Sequence, residues 1–107
     1  MIENAVGAGL QVLCQESGMN LFYWRDRQEE VDYIIEKGDR LIAIEVKTNR
    51  GEGDDYSLSS FLRRHKNAQG IFITRARAKD QSGDERKDIT SVSFEEFFKN
   101  PKDILID

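Results

Sequence analysis

The sequence predicts an α/β domain in which a mixed sheet of four to five strands is flanked by helices. Three observations predict it. An apolar stripe of helical period opens the chain, two strand-like runs flank a two-residue turn, and an uncharged apolar run follows a second, shorter helix. At 107 residues the chain fits one domain, 1–107, with one core.

The elements follow in order. Ile2, Val6, Leu10 and Leu13 recur at helical spacing, with Cys14 beside them, and Gly18 ends this helix. Leu21-Phe22-Tyr23-Trp24 is rich in strand-forming aromatics. Val31 to Ile35 and Leu41 to Lys47 read as two further strands. Gly38-Asp39 between them is a hairpin turn, because glycine supplies the positive φ that a type II′ turn requires. Gly51-Glu52-Gly53-Asp54-Asp55 reads as an acidic loop. A short helix is expected from about Ser57 to His65, with Leu58, Phe61 and Leu62 as its apolar stripe. Gly70 to Thr74 reads as a buried strand. Residues 75–88 are charged and polar and read as a long loop. Ile89 to Val92 reads as a short edge strand. Ser93 with Glu96 three residues on forms a capping box for a last helix, which Pro101 stops.

Composition narrows the chemistry. With one Cys and one His the chain can form neither an internal disulfide nor a zinc site of the usual nitrogen and sulfur ligands. A metal here would be held mainly by oxygen, which points to Mg²⁺, Mn²⁺ or Ca²⁺. A net charge of −4 means that DNA affinity must come from local basic groups, the metal or another domain. No run approaches the length of a membrane span and no signal sequence opens the chain, so a cytoplasmic location without a membrane partner is expected.

The hairpin brings the chemistry together. If Gly38 and Asp39 form the turn, Lys37 pairs with Arg40 and Asp32 falls opposite Glu45. Val31 then meets Val46, Tyr33 meets Ile44 and Ile35 meets Ile42, and the pleat puts that group on one face. Asp32 and Glu45 share the other face, with Lys47 two residues beyond. Opposed Cβ atoms lie roughly 5 Å apart, and like charges there destabilise a sheet. A local rule broken inside an otherwise consistent element marks a functional site. Two carboxylates on adjacent strands can hold one Mg²⁺, whose bound water attacks a phosphodiester, while Lys47 orients that water or offsets charge. Glu3, in the first helical turn, is placed to add a further acid, although acids also favour helix N-termini for structural reasons.

Glu3, Val31-Asp32 and Glu45-Val46-Lys47 together resemble the Glu…Asp…Glu-x-Lys pattern of the PD-(D/E)xK nuclease superfamily. The closer resemblance is to the nuclease-like domain at the C-terminus of prokaryotic ATPases of unassigned function. It is carried by Glu-Asn-Ala-Val-Gly-Ala at 3–8, Tyr-Trp-Arg at 23–25, Glu-Val-Asp-Tyr at 30–33 and Ala-Ile-Glu-Val-Lys at 43–47. Val31 stands where the motif's name has proline. The resemblance implies a restriction-endonuclease-like αβββαβ core. It implies Asp32 and Glu45 as metal ligands, Lys47 as the catalytic lysine and Glu3 as an accessory acid. DNA is the implied partner. The sequence holds no G-x-x-x-x-G-K-[ST], so the expectation is a free-standing domain or a fragment of a longer, ATPase-type protein. The alternative is a non-catalytic accessory domain that binds DNA or a protein, or that forms a homodimer within a larger ATPase.

Other conspicuous residues have structural readings. Arg63-Arg64-His65-Lys66 complement a helix C-terminus. Tyr23 and Trp24 are of a type that stacks on bases, but a strand with one buried aromatic face is the commoner explanation, and Cys14 fits the core. Arg75, Arg77 and Lys79 are diluted by Asp80, Asp84, Glu85 and Asp88, as in a solvated loop.

Overall fold

The computed structural model describes residues 2–26, 29–47, 56–75 and 89–105, without the side chains of Ile2, Glu3 and Glu29. The expected loops at 51–55 and 76–88, with Arg77 and Lys79, lie outside the described residues. The elements run α1 (Ile2–Ser17), β1 (Asn20–Asp26), β2 (Glu29–Lys37), β3 (Arg40–Lys47), α2 (Tyr56–Arg64), β4 (Ala68–Thr74), β5 (Ile89–Ser93) and α3 (Phe94–Lys99). A 3₁₀ turn, Pro101–Leu105, follows. This is the αβββαβ order read from the sequence.

The five strands lie in the order β1-β2-β3-β4-β5. The first three pair antiparallel, while β3, β4 and β5 pair parallel, so the sheet is mixed. Gly38 has φ 64°, and the β2–β3 register pairs Lys37 with Arg40, Ile35 with Ile42 and Tyr33 with Ile44. A two-residue turn leaves the hairpin no freedom to slip, which is why this register was legible from one dipeptide.

Both faces of the sheet are covered, because its central strands are apolar on both sides. On one face Val6, Leu10, Leu13 and Cys14 of α1 pack with Ile35, Ile42, Ile44, Ile71 and Ile73, and Phe94, Phe97 and Ile104 close the same layer. On the other, Leu58, Phe61 and Leu62 of α2 pack on Val31, Ile34 and Ala43. Gly7 permits the close approach of α1 to the sheet: a Cβ there would stand 2.5 Å from the Tyr33 hydroxyl.

Local signals behave as their chemistry requires. The Ser93–Glu96 capping box forms, with each side chain bonded to the other residue's backbone N–H. Pro101 does more than stop α3, since it opens the 3₁₀ turn, where its fixed φ suits a first position. Arg64 at the end of α2 pairs with Asp26 at 2.7 Å, and the His65 ring stacks on Phe61. The aromatic strand covers one face and opens the other. Trp24 packs edge-on to Phe61, but Tyr23 is 70% exposed.

Candidate functional site

One irregularity dominates β2. Phe22 pairs with Ile34 and Trp24 pairs with Val31, so Asp32 and Tyr33 together face Tyr23 alone. That is a β-bulge, in which an extra residue shifts the phase of alternation. The face assignments show the shift. Tyr33 packs with the α1 layer, whereas Val31 and Ile34 both pack with the α2 layer. Val31 therefore does not share a face with Tyr33 and Ile35, as uniform alternation had predicted.

Asp32 sits at this change of phase. The regular β2–β3 ladder runs from Lys37–Arg40 to Tyr33–Ile44, and Val31 with Val46 would be its next bonded pair. Instead, the Val46 N–H donates to Asp32 Oδ2 at 2.8 Å. The Asp32 carboxylate thus lies in the gap between the strands, where a backbone carbonyl would have been. The two strands separate here, while β2 continues against β1 as far as Glu29 and β3 against β4 as far as Lys47.

Glu45 closes the other half of this exchange, because its carboxylate accepts the Asp32 backbone N–H. Its carboxyl pKa is pushed up to about 7, first by burial and then by the Asp32 charge, with Glu30 adding to the rise. Lys47 and the Asp32 N–H act in the opposite direction. Glu45 Oε1 is buried and has no hydrogen-bond partner among the described residues. An orphaned buried carboxylate oxygen is costly, and where one persists it calls for an unseen ligand such as water or an ion.

Lys47 lies two residues along β3 from Glu45, with its ammonium 4.7 Å from the centre of the Phe72 ring. Phe72 is the β4 neighbour of Glu45 and packs with the α2 layer, so Lys47 and Glu45 occupy that side of the sheet. The structure thus brings Asp32, Glu45 and Lys47 together at the strand split. Glu3 lies in the first turn of α1, but its side chain is outside the described residues. No group of three or more His, Cys, Asp or Glu able to hold a metal occurs among the described residues. Two carboxylates are enough for an Mg²⁺ that retains most of its water. The Glu45 oxygen that has no partner among the described residues, next to the Asp32 charge, fits such a cation.

Sequence reasoning missed two contributors. The Val46 N–H fixes Asp32 through the backbone, which leaves no side-chain signal. Glu30 adds negative charge near Glu45 and is bound to Ser57 Oγ of α2 through its own N–H. Its position two residues before Asp32 was the available clue.

On the α1 side, a cleft of about 660 Å³ reaches this split. It is lined by Asp32, Tyr33 and Val46 from the hairpin, by Tyr23 of β1, and by Asn4 and Gln11 of α1, among others. No helix among the described residues is long and apolar enough to cross a membrane.

The fold and site together define an α/β domain with a five-stranded mixed sheet and a carboxylate pair at a strand break. The chain belongs to the family of the domain of unknown function DUF4143, whose model matches residues 1–94. Over 40 residues it is 50% identical to a UPF0102 protein of Rhodococcus opacus (strain B4), covering 36% of this chain and 34% of that protein. A UPF0102 protein of Rhodococcus jostii (strain RHA1) matches with the same identity and coverage. The chain thus spans about a third of the length of the curated relatives it matches. No solved structure matches it.

Proposed function

We propose that this chain is a metal-dependent nuclease-like domain that hydrolyses DNA phosphodiester bonds. The observation that carries the reading is Glu45: a buried carboxylate oxygen with no hydrogen-bond partner among the described residues, beside the charge of Asp32 at a strand break. Burial and the Asp32 charge work against ionised Glu45 and Lys47 offsets them only in part, and a divalent cation is the simplest further partner.

Asp32 and Glu45 are the residues that would hold Mg²⁺ or Mn²⁺, with Glu3 as an accessory acid from α1. When bound, the cation supplies an activated water and neutralises charge on the phosphate. The chain's own groups do the rest. The Val46 N–H holds the Asp32 carboxylate in place, so its geometry is set before any ligand arrives. Lys47, on the same strand as Glu45, orients the attacking water and offsets the charge that develops on the phosphate. Its perch over Phe72 keeps the ammonium on the Glu45 side of the sheet.

A test is incubation of the purified chain with plasmid and single-stranded DNA in Mg²⁺ or Mn²⁺. Asp32→Asn and Lys47→Ala should each lower cleavage by at least about a hundredfold, the scale of one lost electrostatic group in an active site. Cleavage unchanged in both variants would belong to a contaminant and would remove the nuclease reading. In that case the domain would be an accessory or dimerisation module of a larger ATPase, a role that the net charge of −4 suits better than duplex binding.

A further inference from the structure

The cleft on the α1 side has a lining whose chemistry is specific. Tyr23 projects from the edge strand β1 with 70% of its surface exposed, so its ring face is open to a partner. Alternation along β1 puts it on the α1 side with Leu21, while Trp24 packs on the α2 side. The Tyr33 ring lies deeper, against Gly7, where any larger residue would displace it. Across from these rings α1 presents the exposed amides of Asn4 and Gln11.

No lysine or arginine lines the cleft among the described residues. The described walls therefore carry no cationic side chain to draw in a phosphate backbone by charge. They offer flat rings, amide donors and acceptors, and small residues that leave room. That combination recognises a neutral, planar, hydrogen-bonding ring. The volume, about 660 Å³, lies within the range of small-ligand clefts and accommodates a base with its sugar. Asp32, where the strands part, is among the residues that line it.

We propose that this cleft receives an unpaired nucleobase beside the scissile phosphate, so that the domain acts on single-stranded or frayed DNA rather than on closed duplex. A base inside a duplex presents only its edge, whereas stacking on Tyr23 needs its face. The substrate is therefore selected by the absence of pairing, and its sequence matters little. This assignment rests on the nuclease-like reading for the phosphate, but the cleft's preference for an open base is independent of cleavage.

The test uses the full chain in EDTA, so that no cleavage intervenes, with a labelled single strand and its duplex of equal length at low salt. Fluorescence anisotropy should show tighter binding of the single strand. Tyr23→Ala should weaken that binding about tenfold, Tyr23→Phe should retain it, and duplex binding should change in neither. Gln11→Ala, on an exposed turn of α1, provides a second variant and should weaken single-strand binding severalfold. Equal or tighter duplex binding, no binding of either DNA, or indifference to Tyr23→Ala and Gln11→Ala would overturn the proposal. Failure of the nuclease reading looks different: Tyr23-dependent single-strand binding without cleavage in Mg²⁺. Conversely, duplex cleavage untouched by Tyr23→Ala sinks this proposal and leaves the nuclease.

Discussion

Glu45 carries a carboxyl raised from its ordinary value near 4.5 to about 7, so the folded chain holds that proton more tightly than the unfolded chain does. Below pH 4.5 both states are protonated and the group costs nothing. As pH rises from 4.5 to 7 the unfolded state ionises first, and stability falls. In EDTA, denaturant unfolding should show this loss, of order 1–3 kcal/mol after allowance for partial solvent access. Glu45→Gln should flatten the curve across that window. A wild-type curve that rises from pH 5 to 7 as steeply as that of the variant would contradict the assignment. Asp32 makes a separate prediction. Its Oδ2 accepts from Val46, and asparagine keeps an acceptor there while alanine does not. Without metal, Asp32→Asn should melt at or above wild type, since it removes like-charge repulsion. Asp32→Ala should lose about 1–3 kcal/mol, because it strands the Val46 N–H. Equal melting temperatures for the two variants would show that the hydrogen bond carries no weight.

Among the elements, the β2–β3 hairpin was the most legible and the bulge in β2 the least. Gly38-Asp39 fixes the register, and every β2–β3 pair from Lys37–Arg40 to Tyr33–Ile44 follows from it. The bulge is visible only against β1, where Tyr23 alone faces two residues of β2, and nothing in residues 31–35 announces it. That is why the sequence places Asp32 and Glu45 on one pleat, whereas the structure turns the Asp32 carboxylate into the gap. Trp24 and Tyr23 show the same limit. Alternation was evident, but which face would be covered depended on where α2 landed. The 3₁₀ turn after Pro101 was missed because proline was read as a stop when its geometry also suits a start. Gly7 offers a test of how α1 is seated. Gly7→Ala puts a Cβ into the Tyr33 hydroxyl, so the ring or the helix must shift. Such overpacking costs about 1–3 kcal/mol, and thermal melting should drop by several degrees. An unchanged melting temperature would mean that Tyr33 moves freely and that the cleft is soft.

The whole molecule reads as a scaffold with one weak seam. Helices cover both faces of the sheet, and among the described residues the pairing is irregular only around Asp32, where β2 bulges against β1 and parts from β3. The buried carboxylate lies at that seam. A fold selected for stability alone would close the ladder with a Val31–Val46 pair and bury something apolar beside it. The family match over residues 1–94 spans the seam and all five strands, so the seam lies within the family's domain. The central claim is that Asp32 and Glu45 share one divalent cation. Anomalous diffraction from a crystal soaked in Mn²⁺ tests it most directly. A peak is expected between the two carboxylates, with oxygens at about 2.1 Å from it. A peak elsewhere on the chain, or a well-ordered site with no peak between these acids, would contradict it.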